Sequence, residues 1–265
     1  MDLAEITPLI LTFNEKENIA CTLEPLSWAR EVVIVDSGSS DGTLDIARSH
    51  HPNVRIVSRP FDSFASQCNF GLTQITTEWV LSLDADYVLT SELVAEIQKL
   101  DPPSDVAGYA AEFRYCIGGK PLRSTVYPPR TVLYRKERAR YRDEGHGHRV
   151  VVEGRIEKLS GKIDHDDRKP LIRWFREQKR YAKIEAKHLL RIARSKEKGA
   201  GSAEELSFQD KLRLKIFFAA PAMFFYLLFI RGLILDGWRG CVYTFQRTLA
   251  ELLLSVRLIA EMLKR

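Results

Sequence analysis

The chain has 265 residues, of which 45% are hydrophobic and 28% charged, with a formal net charge of +5. That balance is an ordinary globular one without repeats or low-complexity tracts, and the length suits one large domain or a domain with an appendage. The four cysteines, Cys21, Cys68, Cys116 and Cys241, are far apart with no CxxC spacing, which argues against a disulfide framework and for reduced thiols in a cytosolic setting.

Residues 1–8 lack a basic start, and the apolar run at 6–13 is short and broken by Pro8, so no signal peptide is expected. Residues 6–13 read as a first strand, ending in Asn14 and Glu15. Residues 16–28 carry helical spacing through Ile19, Leu23 and Leu26, and Pro25 ends that helix early. A second buried strand, EVVIV, covers 31–35 and ends at Asp36. The turn 37–42 leads into a helix over 43–50, and 54–58 is a third strand. A helix over 63–74 places Phe64, Cys68 and Leu72 on one face. The apolar run 79–83 is the fourth strand, and it ends in Asp84-Ala85-Asp86. Strands alternating with helices imply right-handed crossovers and a mostly parallel sheet. Ligands bind such sheets beyond the carboxyl ends of the strands, where Asn14, Glu15, Asp36, Asp84 and Asp86 all fall.

Two carboxylates one residue apart at a strand end repel one another, and a hard divalent cation, magnesium or manganese, removes that cost. A single such Asp would more often cap a turn. Thr90 caps a further helix running to Leu100. From 107 the pattern alternates, predicting strands before the turn at Gly118-Gly119, then at 131–135 and 154–159. The segment 141–152, YRDEGHGHRVVV, is crowded with polar groups, and KIDHDD at 162–167 follows the last strand.

The character changes at Arg168. Leu171, Trp174, Phe175, Tyr181, Ile184, Leu189 and Ile192 lie among many Lys and Arg, the pattern of a basic amphipathic helix. Residues 199–202 read as a linker. The run 216–235 is strongly apolar but contains Pro221 and Arg231, and a full span needs about 20 apolar residues. An interfacial or re-entrant pair of helices is therefore expected, with Lys211, Arg213, Lys215, Arg231, Arg239 and Arg247 around it facing anionic headgroups. A polar break at 236–240 precedes a final amphipathic helix over 243–265. Two regions result: a catalytic domain over 1–167, and basic and apolar helices that meet a membrane over 168–265. The plain alternative for the second is a helical layer or an oligomer interface.

Three motifs in the first ninety residues, Thr12-Phe13-Asn14-Glu15, VIVDSGSSDGT at 33–43 and Leu83-Asp84-Ala85-Asp86, resemble glycosyltransferase family 2 with its GT-A, Rossmann-like fold. Ser37 stands where the familiar VDDGSxD has a second Asp. The DEGHGH and HDDRKPL segments resemble a bacterial subgroup that adds glucose to the lipopolysaccharide inner core. The resemblance implies that Thr12, Asn14 and Glu15 line a nucleoside pocket and that Asp36 meets the base. It further implies that Arg59 approaches the base or diphosphate, that Asp84 faces the ribose or sugar, and that Asp86 takes the metal. His146, His148 and His165 are candidate metal or phosphate contacts, and His165 is taken with Asp86 as a metal ligand. Zinc is not expected, because no Cys stands at ligand spacing.

An inverting transfer needs a general base for the acceptor hydroxyl, and Asp143 and Glu144 are the candidates, each also readable as a solvated turn residue. The partners implied are a UDP-sugar such as UDP-glucose, a lipid-linked or lipopolysaccharide acceptor and the cytoplasmic face of the inner (plasma) membrane. Nucleic acid is not expected as a partner, and a homo-oligomer remains open. A nucleotide-sugar-binding or nucleotidyltransferase-like protein is the other reading. It usually carries a Gly-rich basic loop after the first strand, which 12–18 lacks.

Overall fold

The computed structural model describes residues 1–144, 147–197 and 207–264. The glycine-rich segment at 199–202 and His146 lie outside the described residues, as do the side chains of Glu144 and His148. The chain divides into two compact units. One comprises Met1–Pro121 and Val126–Lys169, the other Leu122–Thr125 and Pro170–Arg265.

The first unit is built on β1 (Ile6–Thr12), β2 (Val32–Asp36), β3 (Val54–Ser58) and β4 (Trp79–Asp84), all parallel, in the order β3-β2-β1-β4. The connections carry α1 (Ile19–Leu23), α2 (Thr43–His50) and α3 (Phe64–Thr73). A parallel strand covered on both faces must be apolar on both, and β2 is buried from Val32 to Asp36. Pro25 shortens α1, after which the chain turns tightly through Glu24–Leu26. Ser63 caps α3, its Oγ accepting from the Ser66 amide at 3.2 Å.

Beyond β4 come β5 (Tyr87–Leu89), α4 (Ser91–Lys99), β6 (Val106–Ile117), the short β7 (Lys120–Pro121), β8 (Arg130–Arg135), β9 (Ala139–Glu144), β10 (Gly147–Val152) and β11 (Arg155–His165). β8 is antiparallel to β4 and β6, while β11 runs parallel to β6 and antiparallel to β5. The sheet thus continues β4-β8-β6-β11-β5 and is mixed in this half.

Two details depart from the sequence reading. The described residues of 141–152 lie in the antiparallel pair β9–β10, fixed by Asn69 of α3. Its Nδ2 donates to the Tyr141 carbonyl at 3.0 Å, and its Oδ1 accepts from the Tyr141 amide at 2.8 Å. The strand expected to stop at 159 continues to His165 through an irregularity in register between Lys158 and Lys162. Ser160 and Gly161 give their amides to the Glu96 carboxylate at 2.7 to 3.1 Å. A β-carbon at Gly161 would lie 2.6 Å from the Leu93 Cα, so only glycine lets β11 pass α4 this closely.

The second unit is helical: α5 (Leu171–Glu197), α6 (Phe208–Leu214), α7 (Ala219–Phe225) and α8 (Trp238–Met262). Ala182, Ala186, Leu189 and Leu190 of α5 pack with Leu254 and Leu258 of α8. Arg213 joins them through Glu251 at 2.8 Å and Glu185 at 3.7 Å, so it is turned inward rather than toward a surface. Pro221 is tolerated because it sits in the first turn of α7, where amides have no intrahelical acceptor. A π-helical turn over Tyr226–Ile230 and a 3-10 turn over Leu233–Asp236 follow. No helix among the described residues is long and apolar enough to cross a membrane. The last helix starts at Trp238, earlier than the polar break suggested. Gly237, at φ 61°, makes the turn, and Gly240 lets the helix lie against Leu233. Phe217, Phe218, Phe225, Phe229, Ile230, Leu235 and Trp238 remain exposed, five of the seven aromatic.

Candidate active site

The registers Thr12↔Asp36, Asp36↔Ser58 and Leu11↔Asp84 bring the carboxyl ends of β1 to β4 to one edge. The chain passes from β1 outward to β3 and then returns to β4 on the other side of β1. That reversal opens a crevice at the strand ends, the usual ligand position in such sheets.

On the β1–β2 side the loops are stitched together by short polar side chains. Asp36 is buried and accepts four hydrogen bonds. Thr12 Oγ1 donates at 2.9 Å, Ser39 Oγ at 2.5 Å, and the Gly38 and Ser39 amides at 2.9 Å each. A carboxylate offers about four such positions, so Asp36 is committed to shaping its own turn. Asn14, held at φ 57°, donates its amide to Ser39 Oγ and accepts from the Ser40 amide, both at 2.8 Å. Ser37, in place of a second Asp, accepts from Gln67 Nε2 at 3.0 Å. Arg59 is clamped by Asp62 at 2.7 and 2.8 Å and by Gln67 Oε1 at 2.9 Å, with its guanidinium 5.5 Å from the Phe70 ring centre.

On the β4 side, Asp84 is part-exposed, with the Arg130 guanidinium 3.9 Å away. Arg130 in turn lies 4.9 Å from the Tyr127 ring centre. Asp86 is turned inward. Its Oδ2 is 3.3 Å from His165 Nε2 and 4.0 Å from Lys169 Nζ. β11 pairs its last residue, His165, antiparallel with Tyr87, which is how a histidine far downstream in the chain reaches Asp86. The rings of Tyr87, Tyr115 and Tyr127 surround His165 with centres 4.9 to 5.3 Å away and fix its plane. Lys169 also reaches Glu15 at 2.9 and 3.2 Å and Asp167 at 3.5 Å.

The charges of this cluster follow from burial set against pairing. Burial would raise the Asp86 carboxyl, but His165 and then Lys169 hold it down to about 2. Glu15 goes the other way: burial pushes it up to about 7, only partly offset by Lys169. Burial would lower Lys169, and Asp86, Glu15 and Asp167 together push it well above the usual lysine range.

A divalent cation is implied by the family resemblance, and the donors present fit one. Two neighbouring ligands of an octahedral ion with bonds of about 2.1 Å lie about 3 Å apart, close to the 3.3 Å between Asp86 Oδ2 and His165 Nε2. The carboxylate suits magnesium or manganese, and the imidazole favours manganese, the softer of the two. His165 Nδ1 is buried with no hydrogen-bond partner among the described residues. No group of three or more metal-ligating side chains gathers among the described residues. Asp86 and His165 would therefore leave most positions to substrate oxygens and water, as magnesium sites usually do.

The candidate base lies on β9. Asp143 Oδ1 accepts the Ala65 amide at 3.1 Å and so caps the first turn of α3. Glu144 closes β9 by its backbone.

Sequence reasoning passed over Lys169, Asp167, Asn18 and Arg130. Asn18 Nδ2 donates to Glu15 at 2.8 Å and to Asp167 at 3.2 Å, tying the loop after β1 to the end of β11. In the HDDRK string Lys169 stands four residues past His165, and nothing in the string sets it apart from the basic residues that follow.

The profile of glycosyl transferase family 2 matches residues 9–156, more than half of the chain and all four of the strands whose ends build the crevice. The chain belongs to glycosyl transferase family 2. Its first unit is the mixed α/β GT-A arrangement of that family. Within family 2 it is similar to the lipopolysaccharide core biosynthesis glycosyltransferase LpsC of Rhizobium meliloti, 30% identical over 158 residues, 57% of this chain and 58% of that one. A glycosyltransferase of Rickettsia typhi is 32% identical over 95 residues, 36% of this chain and 32% of that one. The chain thus spans less than two thirds of the length of these curated relatives. Among solved structures, glucosyl-3-phosphoglycerate synthase from Mycobacterium tuberculosis aligns at a TM-score of 0.48 and 17% identity, over 70% of this chain and 79% of that one.

Proposed function

We propose that this family 2 chain is an inverting glycosyltransferase that moves glucose from UDP-glucose onto a lipid-linked or lipopolysaccharide-core acceptor. The observation that carries the reading is the meeting of Asp86 with His165 at the mouth of the β1/β4 crevice, with Asp84 two residues back. In this reading the nucleoside lies along the loops of Thr12, Asn14 and Asp36. Asp36 acts through the turn it holds, and Arg59 fixes the far wall. Asp84 and Arg130 face the sugar and diphosphate.

Breaking the bond between sugar and diphosphate puts negative charge on the leaving oxygen, so cationic groups fixed near that oxygen lower the barrier. A magnesium or manganese ion on Asp86 and His165 would supply Lewis-acid stabilisation there. Arg130 adds a fixed guanidinium on the side of Asp84, and the tyrosine cage keeps His165 from swinging out. The acceptor hydroxyl must lose a proton as it attacks, and Asp143 is proposed to take it, with Glu144 the neighbouring candidate.

The second unit is proposed to hold the enzyme on the cytoplasmic face of the inner membrane, peripherally or monotopically. Its exposed aromatic side chains, with Lys211, Lys215 and Arg231 also exposed, support that placement.

A thermal-shift screen of nucleotide sugars with manganese tests the donor. UDP-glucose should stabilise the protein more than GDP- or ADP-sugars, and only with the metal present. Equal stabilisation by all three would remove the uridine assignment.

A further inference from the structure

Lys169 is a buried charge that the proposed chemistry does not use. Its side chain is 9% exposed, and three carboxylates stand around the ammonium: Glu15 at 2.9 Å, Asp167 at 3.5 Å and Asp86 at 4.0 Å. A buried ammonium is held only where its partners are well placed, and these are anchored. Asn18 bridges Glu15 and Asp167, and its Oδ1 accepts the Arg168 amide at 2.8 Å. The Glu15 amide is bound to Thr43 Oγ1 at 2.7 Å. The ammonium therefore cannot retreat from Asp86 without breaking a cradle that spans the loop after β1 and the end of β11.

We propose that Lys169 is a built-in counter-ion of the metal site, which neutralises Asp86 before the donor arrives and opposes entry of a divalent cation on its own. The inference rests on the reading of Asp86 and His165 as the metal pair. A cation there and the Lys169 ammonium share one carboxylate, and like charges at this separation disfavour each other. A nucleoside diphosphate reverses the balance, because its negative charges attract both cations at once. Metal and donor then enter together, and the free enzyme does not hold a metal that would recruit stray phosphates. Lys169 is in this sense a positioning residue, acting through Asp86.

The test is binding of manganese ions to the full chain, followed by the paramagnetic signal of free Mn2+, without nucleotide and with UDP. Lys169→Met should bind Mn2+ alone about tenfold more tightly than the unsubstituted chain, the scale on which a charge within about 4–6 Å shifts an ionic equilibrium. Lys169→Arg, which keeps the charge, should bind like the unsubstituted chain. UDP should strengthen Mn2+ binding strongly in the unsubstituted chain and only weakly in Lys169→Met. If Mn2+ binds the unsubstituted chain with UDP but Lys169→Met binds Mn2+ alone no tighter, the counter-ion role is wrong and the metal reading stands. If neither chain binds Mn2+ with or without UDP, the metal reading falls and this inference with it. Should Lys169→Met fail to fold in metal-free buffer, folding restored by Mn2+ supports the role. Continued failure at saturating Mn2+ marks Lys169 as a structural strut and overturns it.

Discussion

At the residue scale, Asp143 carries two separable duties. As an acceptor for the Ala65 amide it holds the first turn of α3, and as a carboxylate it is the proposed proton acceptor. Asp143→Asn keeps an oxygen for the amide but cannot take a proton. It should lose most turnover, with donor binding and stability nearly unchanged. Asp143→Ala should lose the same turnover and also about 1 kcal/mol of stability through the lost cap. Glu144→Gln is the comparison. Turnover lost in Glu144→Gln and kept in Asp143→Asn would move the base by one residue. The residues nearest the proposed chemistry were unevenly legible in the sequence. Asp84 and Asp86 stood out because paired carboxylates behind an apolar strand have few purely structural uses. Lys169 did not, because it precedes a long basic helix and reads as one more solvated charge. Only its burial among Glu15, Asp86 and Asp167 separates it from its neighbours.

At the element scale, the parallel strands were the clearest, because a strand covered on both faces is an unbroken apolar run, as 31–35 and 79–83 are. The sequence pattern of β11 ends at 159, because Ser and Gly at 160–161 are residue types that favour turns. The partner that overrides it, Glu96, is distant in sequence. The pair β9–β10 is obscured by its charge, since exposed strands lose the hydrophobic alternation that marks them. The start of α8 was misread for a related reason. Gly240 looks like a helix breaker, yet it sits inside the helix because a β-carbon there would come 1.9 Å from the Leu233 carbonyl oxygen. Gly240→Ala should therefore destabilise the protein by about 1–3 kcal/mol, the usual cost of overpacking against groups that cannot yield. A denaturation midpoint equal to that of the unsubstituted chain would contradict the close approach.

At the scale of the whole molecule, the second unit is proposed to bring the enzyme to its acceptor. A lipid-linked acceptor stays at the bilayer, so the enzyme must come to it, while a nucleotide sugar diffuses freely. The second unit has exposed Phe217, Phe218, Phe225, Phe229 and Ile230, and no helix among its described residues is long and apolar enough to cross a membrane. That combination suits lying in the headgroup region, where nearby Lys and Arg each contribute about 1 kcal/mol against anionic lipid. Full-length protein should float with anionic liposomes, and less well with zwitterionic ones. Substituting Phe225, Phe229 and Ile230 together with Ser should abolish flotation without unfolding the chain, because all three are exposed. Protein that stays in the soluble fraction with both kinds of vesicle would remove the membrane from the account.

The central claim, a metal-assisted glycosyl transfer organised by Asp86, is tested most directly by release of UDP from UDP-glucose. The assay compares the unsubstituted chain with Asp86→Ala, in manganese and in excess chelator. The account predicts turnover in manganese, its loss in chelator and its recovery when the metal is restored. Asp86→Ala should show at least a hundredfold lower rate under every condition, with its fold intact by circular dichroism, the scale expected for losing a principal charge-stabilising group. Turnover of the unsubstituted chain undiminished in chelator, or an Asp86→Ala chain as active as its parent, would contradict it.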